Sequence, residues 1–294
     1  MRAILSSVDD ILIRAEFEAG TDKGYLDAVR FSATPDPDSL DILAQAAVAQ
    51  RFAPLLMFDS KQGEPWKCFP GDAQDYFDAR SPTFTWDDNA RICNHSYESV
   101  QNAEIPTYYQ YNRCSATTEY IAYWFFYGWQ DFCDGVSGAH HADWEHVVVK
   151  VVNGTLDRVM YYQHQGWYTR DPGNYGVALD HPLVYVGKTN HGSYHDGGGT
   201  GTCCYWEDFR KPGDSTKYML TSLNLFRLDA SNPNRPMWTQ NAFDWSGPSD
   251  KNMLGPLLRT FNFCALPGCN GYSISQICGT NGCYKSDVGS GDVM

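Results

Sequence analysis

Between positions 53 and 188 the apolar residues fall in short runs separated by turn-forming residues, and the period of each run indicates its element. Ala53 to Phe58 is a nearly continuous apolar run of strand length, the signature of a buried strand. Glu119 to Tyr127 is a strongly aromatic strand, and Val147 to Val152 a valine ladder broken only by Lys150. Further strands are predicted at 157–164 and 181–188, with Gly-, Asn- and Asp-rich turns between them. Ahead of them all, residues 38–51 predict an amphipathic helix. Leu40, Ile42, Leu43, Ala46 and Ala47 fall near helical spacing, and Asp38 or Ser39 is placed to cap the start. Strands without alternating helices predict a mainly β protein, an antiparallel β-sandwich with a few flanking helices. No internal repeat or low-complexity linker interrupts the chain, so 1–263 reads as a single domain.

The tail from 264 to 294 differs in kind. Cys264 and Cys269, then Cys278 and Cys283, form two short Cys-x4-Cys loops in Gly- and Ser-rich sequence that cannot build a core of its own. It is expected to be disulfide-crosslinked; four-thiolate zinc is the alternative, which the x4 spacing suits poorly. Cys203 and Cys204 are adjacent and are expected to bond to separate partners.

The chain has 294 residues and a net charge of −13, which argues against nucleic-acid binding and against attraction to anionic lipid by bulk charge. No run approaches the roughly 18 apolar residues of a membrane span. Ten cysteines, with the sequons at Asn94 and Asn153, predict an oxidising, extracellular destination and a glycoprotein. Against this, residues 1–10 carry no signal-peptide h-region, so the alternative is an intracellular protein.

Candidate chemistry concentrates in His140-His141-Ala142-Asp143-Trp144-Glu145-His146, directly before the valine ladder. Strand alternation puts Asp143 and Glu145 on one face, with Trp144 and His146 on the other. Two neighbouring carboxylates repel unless a cation, a proton or a basic group lies between them. Three uses are open: ligation of a hard cation, a structural network of amides or arginine, or general acid–base work by Glu145 or Asp143 with a histidine. His191, directly after the 181–188 strand, is the further catalytic candidate; His195 and His164 are weaker ones, with turn or core roles as alternatives. Trp124 and Trp144 are expected in the core, whereas Trp129 and Trp167-Tyr168 are better placed for a contact surface.

Residues 120–131 and 138–149 resemble the core of the necrosis- and ethylene-inducing-like proteins, secreted microbial toxins with a Gly-His-Arg-His-Asp-Trp-Glu heptapeptide. A closer similarity, over roughly residues 50 to 230, is to the Vps62-like proteins, a fungal and bacterial family with an Asp-Trp-Glu-His-Val core. It includes residues 53–59, 182–195 and 205–210. The toxin resemblance implies a β-sandwich with flanking helices that holds Mg²⁺ or Ca²⁺, partly through water. Carried over residue by residue, the ligands are Asp131 (Asp134 as the alternative), His140, Asp143 and Glu145. One His among oxygens also permits Mn²⁺ or Zn²⁺. This chain has Ala142 where the toxins have a His, which leaves open whether His141 replaces it.

The expectation is therefore a secreted, cation-binding β-sandwich resembling necrosis-inducing cytolysins. By resemblance it would recognise a polar or glycosylated surface, such as a membrane glycolipid headgroup or glycan. The rivals are a metal-assisted hydrolase or lyase acting on a sugar or small molecule, and an intracellular Vps62-like trafficking or structural protein.

Overall fold

The computed structural model describes residues 37–64, 67–79, 93, 95–132, 139–163, 166–171, 173–199, 208–213, 216–230, 232, 235–239, 245 and 255–258. The chain divides into two compact units, Met1–Ala46 and Ala47–Met294. Only the start of helix α1 (Pro37–Arg51) is described in the first unit. Along that helix Leu40, Ile42 and Leu43 are exposed rather than forming a buried stripe; Ala49, with Phe52 and Ala53 just beyond it, enters the core. Two short α-helices not foreseen individually, α2 (Ala73–Ala79) and α3 (Tyr97–Gln101), also lie among the described residues. Ser96 caps α3 by accepting from the Ser99 amide, which satisfies one free donor of its first turn.

The protein is mainly β, with its strands in two sheets. The large sheet runs β11-β2-β3-β4-β5-β6, comprising Leu225–Arg227, Thr107–Arg113, Thr118–Gln130, His140–Val152, Thr155–Gln163 and Gly166–Arg170 in that spatial order. The smaller sheet runs β10-β1-β8-β7, namely Lys217–Leu220, Leu55–Phe58, His181–Val186 and Val177–Ala178, with β9 (Ser193–Tyr194) also on β8. The antiparallel expectation holds for most pairs but not all: β1 lies parallel to β8, and β11 to β2. Both parallel pairs join strands far apart in sequence, so the chain between them can make the crossover that a parallel pair requires.

The backbone of the site is the β3–β4 hairpin, thirteen residues a side, in register from Thr118↔Val152 to Gln130↔His140. The motif is thus part of the strand itself and does not merely precede the valines. At the opposite end of β4, Asn153 (φ 51°) and Gly154 (φ 71°) make a two-residue turn into β5, the left-handed pair a tight hairpin needs.

Both faces of the large sheet are covered. Ile121, Tyr123, Phe125 and Tyr127 of β3 pack with Val147, Val149 and Val151 of β4 against Leu56, Phe58, Val184, Val186 and Met219 of the smaller sheet. The alternate residues Ala122, Trp124, Phe126, Trp144 and Val148 form a second core with Trp238 and Trp245. Trp124 and Trp144 are core, as expected. Trp167 and Tyr168 are buried as well, correcting the expected contact surface: Trp167 stacks on Tyr162, and Tyr168 on Tyr161 across the β5–β6 pair. Trp129 is half-buried against the inter-sheet core.

Cys68 and Cys93 form a disulfide with Cα atoms 5.0 Å apart, and Cys114 is also disulfide-bonded. Cys203, Cys204 and the tail 264–294 lie outside the described residues, as do Asp134, His164 and the sequon residue Asn94. Asn153 is exposed at its hairpin tip. No described helix is long and apolar enough to cross a membrane.

Candidate functional site

Register decides which motif side chains share a face. Asp143 pairs with Tyr127, Glu145 with Phe125 and His141 with Trp129, so these three continue the inward row of Val147. Asp143 and Glu145 are buried, at 0% and 2% exposure, and His141 at 6%. His140, opposite Gln130, has the other parity, and its Nδ1 lies 3.2 Å from the His141 carbonyl. Asp131 is ion-paired with Lys67 and accepts from the Phe132 amide. Of the four proposed ligands, Asp143 and Glu145 therefore share the buried face, whereas Asp131 and His140 sit at the loop end of the hairpin.

The smaller sheet supplies the group that faces the acids. After β8 the chain turns through Gly187–Gly192 and returns as β9, delivering His191 into the inter-sheet core at 1% exposure. His191 Nδ1–H donates to Asp143 Oδ2 at 2.9 Å, a carboxylate being only an acceptor, and the imidazole stacks on Tyr127 at 4.0 Å and 4°. His191 is held at φ 55° and Ala142, beside Asp143, at φ 52°. Left-handed backbone in residues with a Cβ costs on the order of 1 kcal/mol or more each, so strain gathers where the two sheets meet over Asp143.

Around this pair lie polar atoms sealed from water. Tyr127 Oη, His191 Nε2 and Ser193 Oγ are buried and have no hydrogen-bond partner among the described residues. Burial first, then the charges of Asp143 and Glu145, push the Tyr127 hydroxyl well above its ordinary pKa, so it remains a neutral donor. Tyr194 is raised by burial and then by Asp208. Gln163 Nε2 donates to the Ser193 carbonyl, tying β5 to β9. His195 stands outside this cluster: it is half-buried, and its Nδ1 is hydrogen-bonded to the Tyr168 hydroxyl at 2.8 Å.

Among the described residues, no three His, Cys, Asp or Glu side chains stand close enough together to hold a metal ion. The described residues do supply two buried carboxylates, together with an imidazole nitrogen (His191 Nε2) and a phenol (Tyr127 Oη) that have no hydrogen-bond partner among the described residues. That is an oxygen-rich set with one nitrogen, two of its members joined by the Asp143–His191 hydrogen bond. It is suited to holding a histidine as a base. Sequence reasoning missed Tyr127, Gln163, Ser193 and Asp208. Tyr127 was within reach of it, because a β3–β4 hairpin register places it opposite Asp143; the others reach the site only through tertiary contact.

No family model matches the chain, and no curated protein matches it. Among solved structures, a non-toxic protein, HaNLP3, is similar at 16% identity, covering 62% of this chain and 73% of that one, with a TM-score of 0.40. NLPPya, solved in complex with mannosamine and with glucosamine, is similar at 19% identity over 63% of this chain and 73% of that chain, with a TM-score of 0.38. Likeness at this level leaves the function to be argued from the chain's own residues, and the Vps62-like resemblance rests on sequence motifs alone.

Proposed function

We propose that this chain is an extracellular β-sandwich protein that binds a divalent cation through Asp143 and Glu145, and through it engages a polar or glycosylated surface such as a glycolipid headgroup. The observation that carries the reading is the pair of buried acids on one strand face, beside atoms of His191 and Tyr127 that have no hydrogen-bond partner among the described residues. Two carboxylates side by side on one strand face repel each other, and a divalent cation between Asp143 and Glu145 would relieve that repulsion. A cation bound there supplies a positive centre that sugar hydroxyls or a carboxylate can ligate, which bare acids cannot. Mg²⁺ or Ca²⁺ suits the oxygen donors, and a single histidine also admits Mn²⁺ or Zn²⁺. Asp131 and His140, at the loop end of the hairpin, are the outer ligands of this reading, which requires Asp131 to exchange Lys67 for the ion. The disulfides at Cys68–Cys93 and Cys114 support an oxidising compartment.

The test is calorimetric titration with Ca²⁺ and with Mg²⁺, beside leakage from vesicles containing glycosylated lipid. Asp143→Ala is expected to abolish both signals. Unchanged cation affinity in Asp143→Ala and in Glu145→Gln would remove the reading. One observation favours a second reading, a metal-assisted hydrolase or lyase: the Asp143–His191 hydrogen bond orients the imidazole and leaves Nε2 available as a base. Turnover of glycans without leakage, lost in His191→Gln, would select it.

A further inference from the structure

The turn that carries His191 is built around a carboxylate outside the pair. Asp208 is buried, at 2% exposure, and a single oxygen, Oδ2, accepts from the Thr189 and Asn190 amides at 2.8 Å each. Asn190 Oδ1 in turn accepts from the Gly192 amide at 3.0 Å. Backbone bonds close the loop: Gly187 N to Gly192 O at 2.9 Å, and His191 N to Gly187 O at 3.1 Å. The fit is tight, since a Cβ on Gly187 would meet Asp208 Oδ2 and Asn190 Oδ1 at 2.6 Å each. Asp208 is itself held, because Arg210 Nη1 donates to its carbonyl at 3.0 Å and the Lys188 amide donates to Phe209 O at 2.8 Å.

We propose that Asp208 is the positioning residue of the site: by clamping the Thr189 and Asn190 amides it holds His191 in its left-handed conformation, with Nδ1 on Asp143. This rests on the cation-binding reading for its functional consequence, but not for its geometry. A residue hydrogen-bonded to a ligating group typically changes affinity by roughly 10- to 100-fold when removed; His191 is that residue for Asp143, and Asp208 acts through it. Burial pushes the Asp208 carboxyl up, and the Asn190 and Thr189 amides, then His191 and the Thr189 side chain, pull it part of the way back.

Both amides bond to one oxygen, which separates clamp from charge. Asparagine keeps that oxygen and loses the charge; alanine loses both. The experiment compares the full chain with Asp208→Asn, Asp208→Ala and Gly187→Ala. It measures imidazole ¹H–¹⁵N signals, assigned through His191→Gln, and calorimetric titration with Ca²⁺ or Mg²⁺ alone. The expected result is a hydrogen-bonded His191 Nδ1–H in the native chain and in Asp208→Asn, lost in Asp208→Ala. Cation affinity should follow, falling roughly 10-fold or more in Asp208→Ala and far less in Asp208→Asn. Gly187→Ala, which pushes the same clamp apart from the other side, should behave as Asp208→Ala does, and it carries the test if Asp208→Ala fails to fold. An intact Nδ1–H signal in Asp208→Ala or Gly187→Ala overturns the proposal, as does equal loss in Asp208→Asn and Asp208→Ala. If the native chain binds neither cation, the cation reading fails, while the imidazole signals still decide the clamp.

Discussion

Alternate residues of β4 face two different buried layers. Ala142, Trp144, His146 and Val148 belong to the outer, ring-filled side, and His141, Asp143, Glu145 and Val147 to the inner side between the sheets. Each side holds a buried histidine stacked on rings: His146 between Trp124 at 4.1 Å and Tyr162 at 3.9 Å, and His191 on Tyr127 at 4.0 Å. Ring faces treat the two alike. They differ in setting: His191 presents a nitrogen to a carboxylate where the two sheets meet, and His146 lies among the rings of the outer layer. Burial and stacking therefore do not mark a site; convergence of ionisable edges does.

The comparison breaks most forcefully through the outer face. Trp144 touches Tyr108, Phe126, Trp238 and Trp245, so Trp144→Ala opens a cavity expected to cost about 3–5 kcal/mol in urea unfolding. Cation affinity of the molecules that remain folded should be unchanged. A drop matching that of Asp143→Ala would mean that the two faces act as one.

A smaller effect comes with pH. Burial, and then the neighbouring His140, lower the pKa of His141 from 6.5 to about 4. The unfolded chain therefore takes up this proton first as pH falls, whereas the folded chain resists it. The contribution is complete above pH 6.5 and is lost progressively as pH drops towards 4. His195, lowered to about 4 by burial and then Arg170, acts in the same direction. Melting temperature followed from pH 7 to 4 should fall less steeply in His141→Gln, and an identical slope would show that His141 is not held neutral.

The smallest effect is the sharpest. Tyr127→Phe removes a buried hydroxyl with no described partner, so the cation-free protein should change by no more than about 1 kcal/mol. The thermal shift produced by Ca²⁺ or Mg²⁺ should nevertheless shrink. A loss of about 2–3 kcal/mol without any cation would show that the hydroxyl is already bonded within the protein.

Much of this was legible in the chain. The aromatic run at 120–127 and the valines at 147–152 predict two strands, and alternation alone puts Asp143 and Glu145 on one face. His191 stood out because it directly follows a strand. The parity of His140 was less visible, since it depends on strand β4 beginning at that residue rather than after the motif. Trp167 and Tyr168 look like surface residues beside a loop, yet the edge strand they occupy is covered on both faces by rings brought from β5. Asp208 carried no local signal, because its role is to accept from amides 18 and 19 residues earlier.

By itself the sequence determined the periodicities: which segments are strands, which positions share a face, and that two acids must lie side by side within one strand. These follow from local backbone geometry, which each short segment carries within itself. Tertiary structure alone decided that the acid face turns inward, that a histidine from the other sheet meets Asp143, and that a distant carboxylate shapes the turn delivering it. Such contacts join segments far apart in the chain, and their energies exist only once the two sheets have closed over a shared, water-free interior.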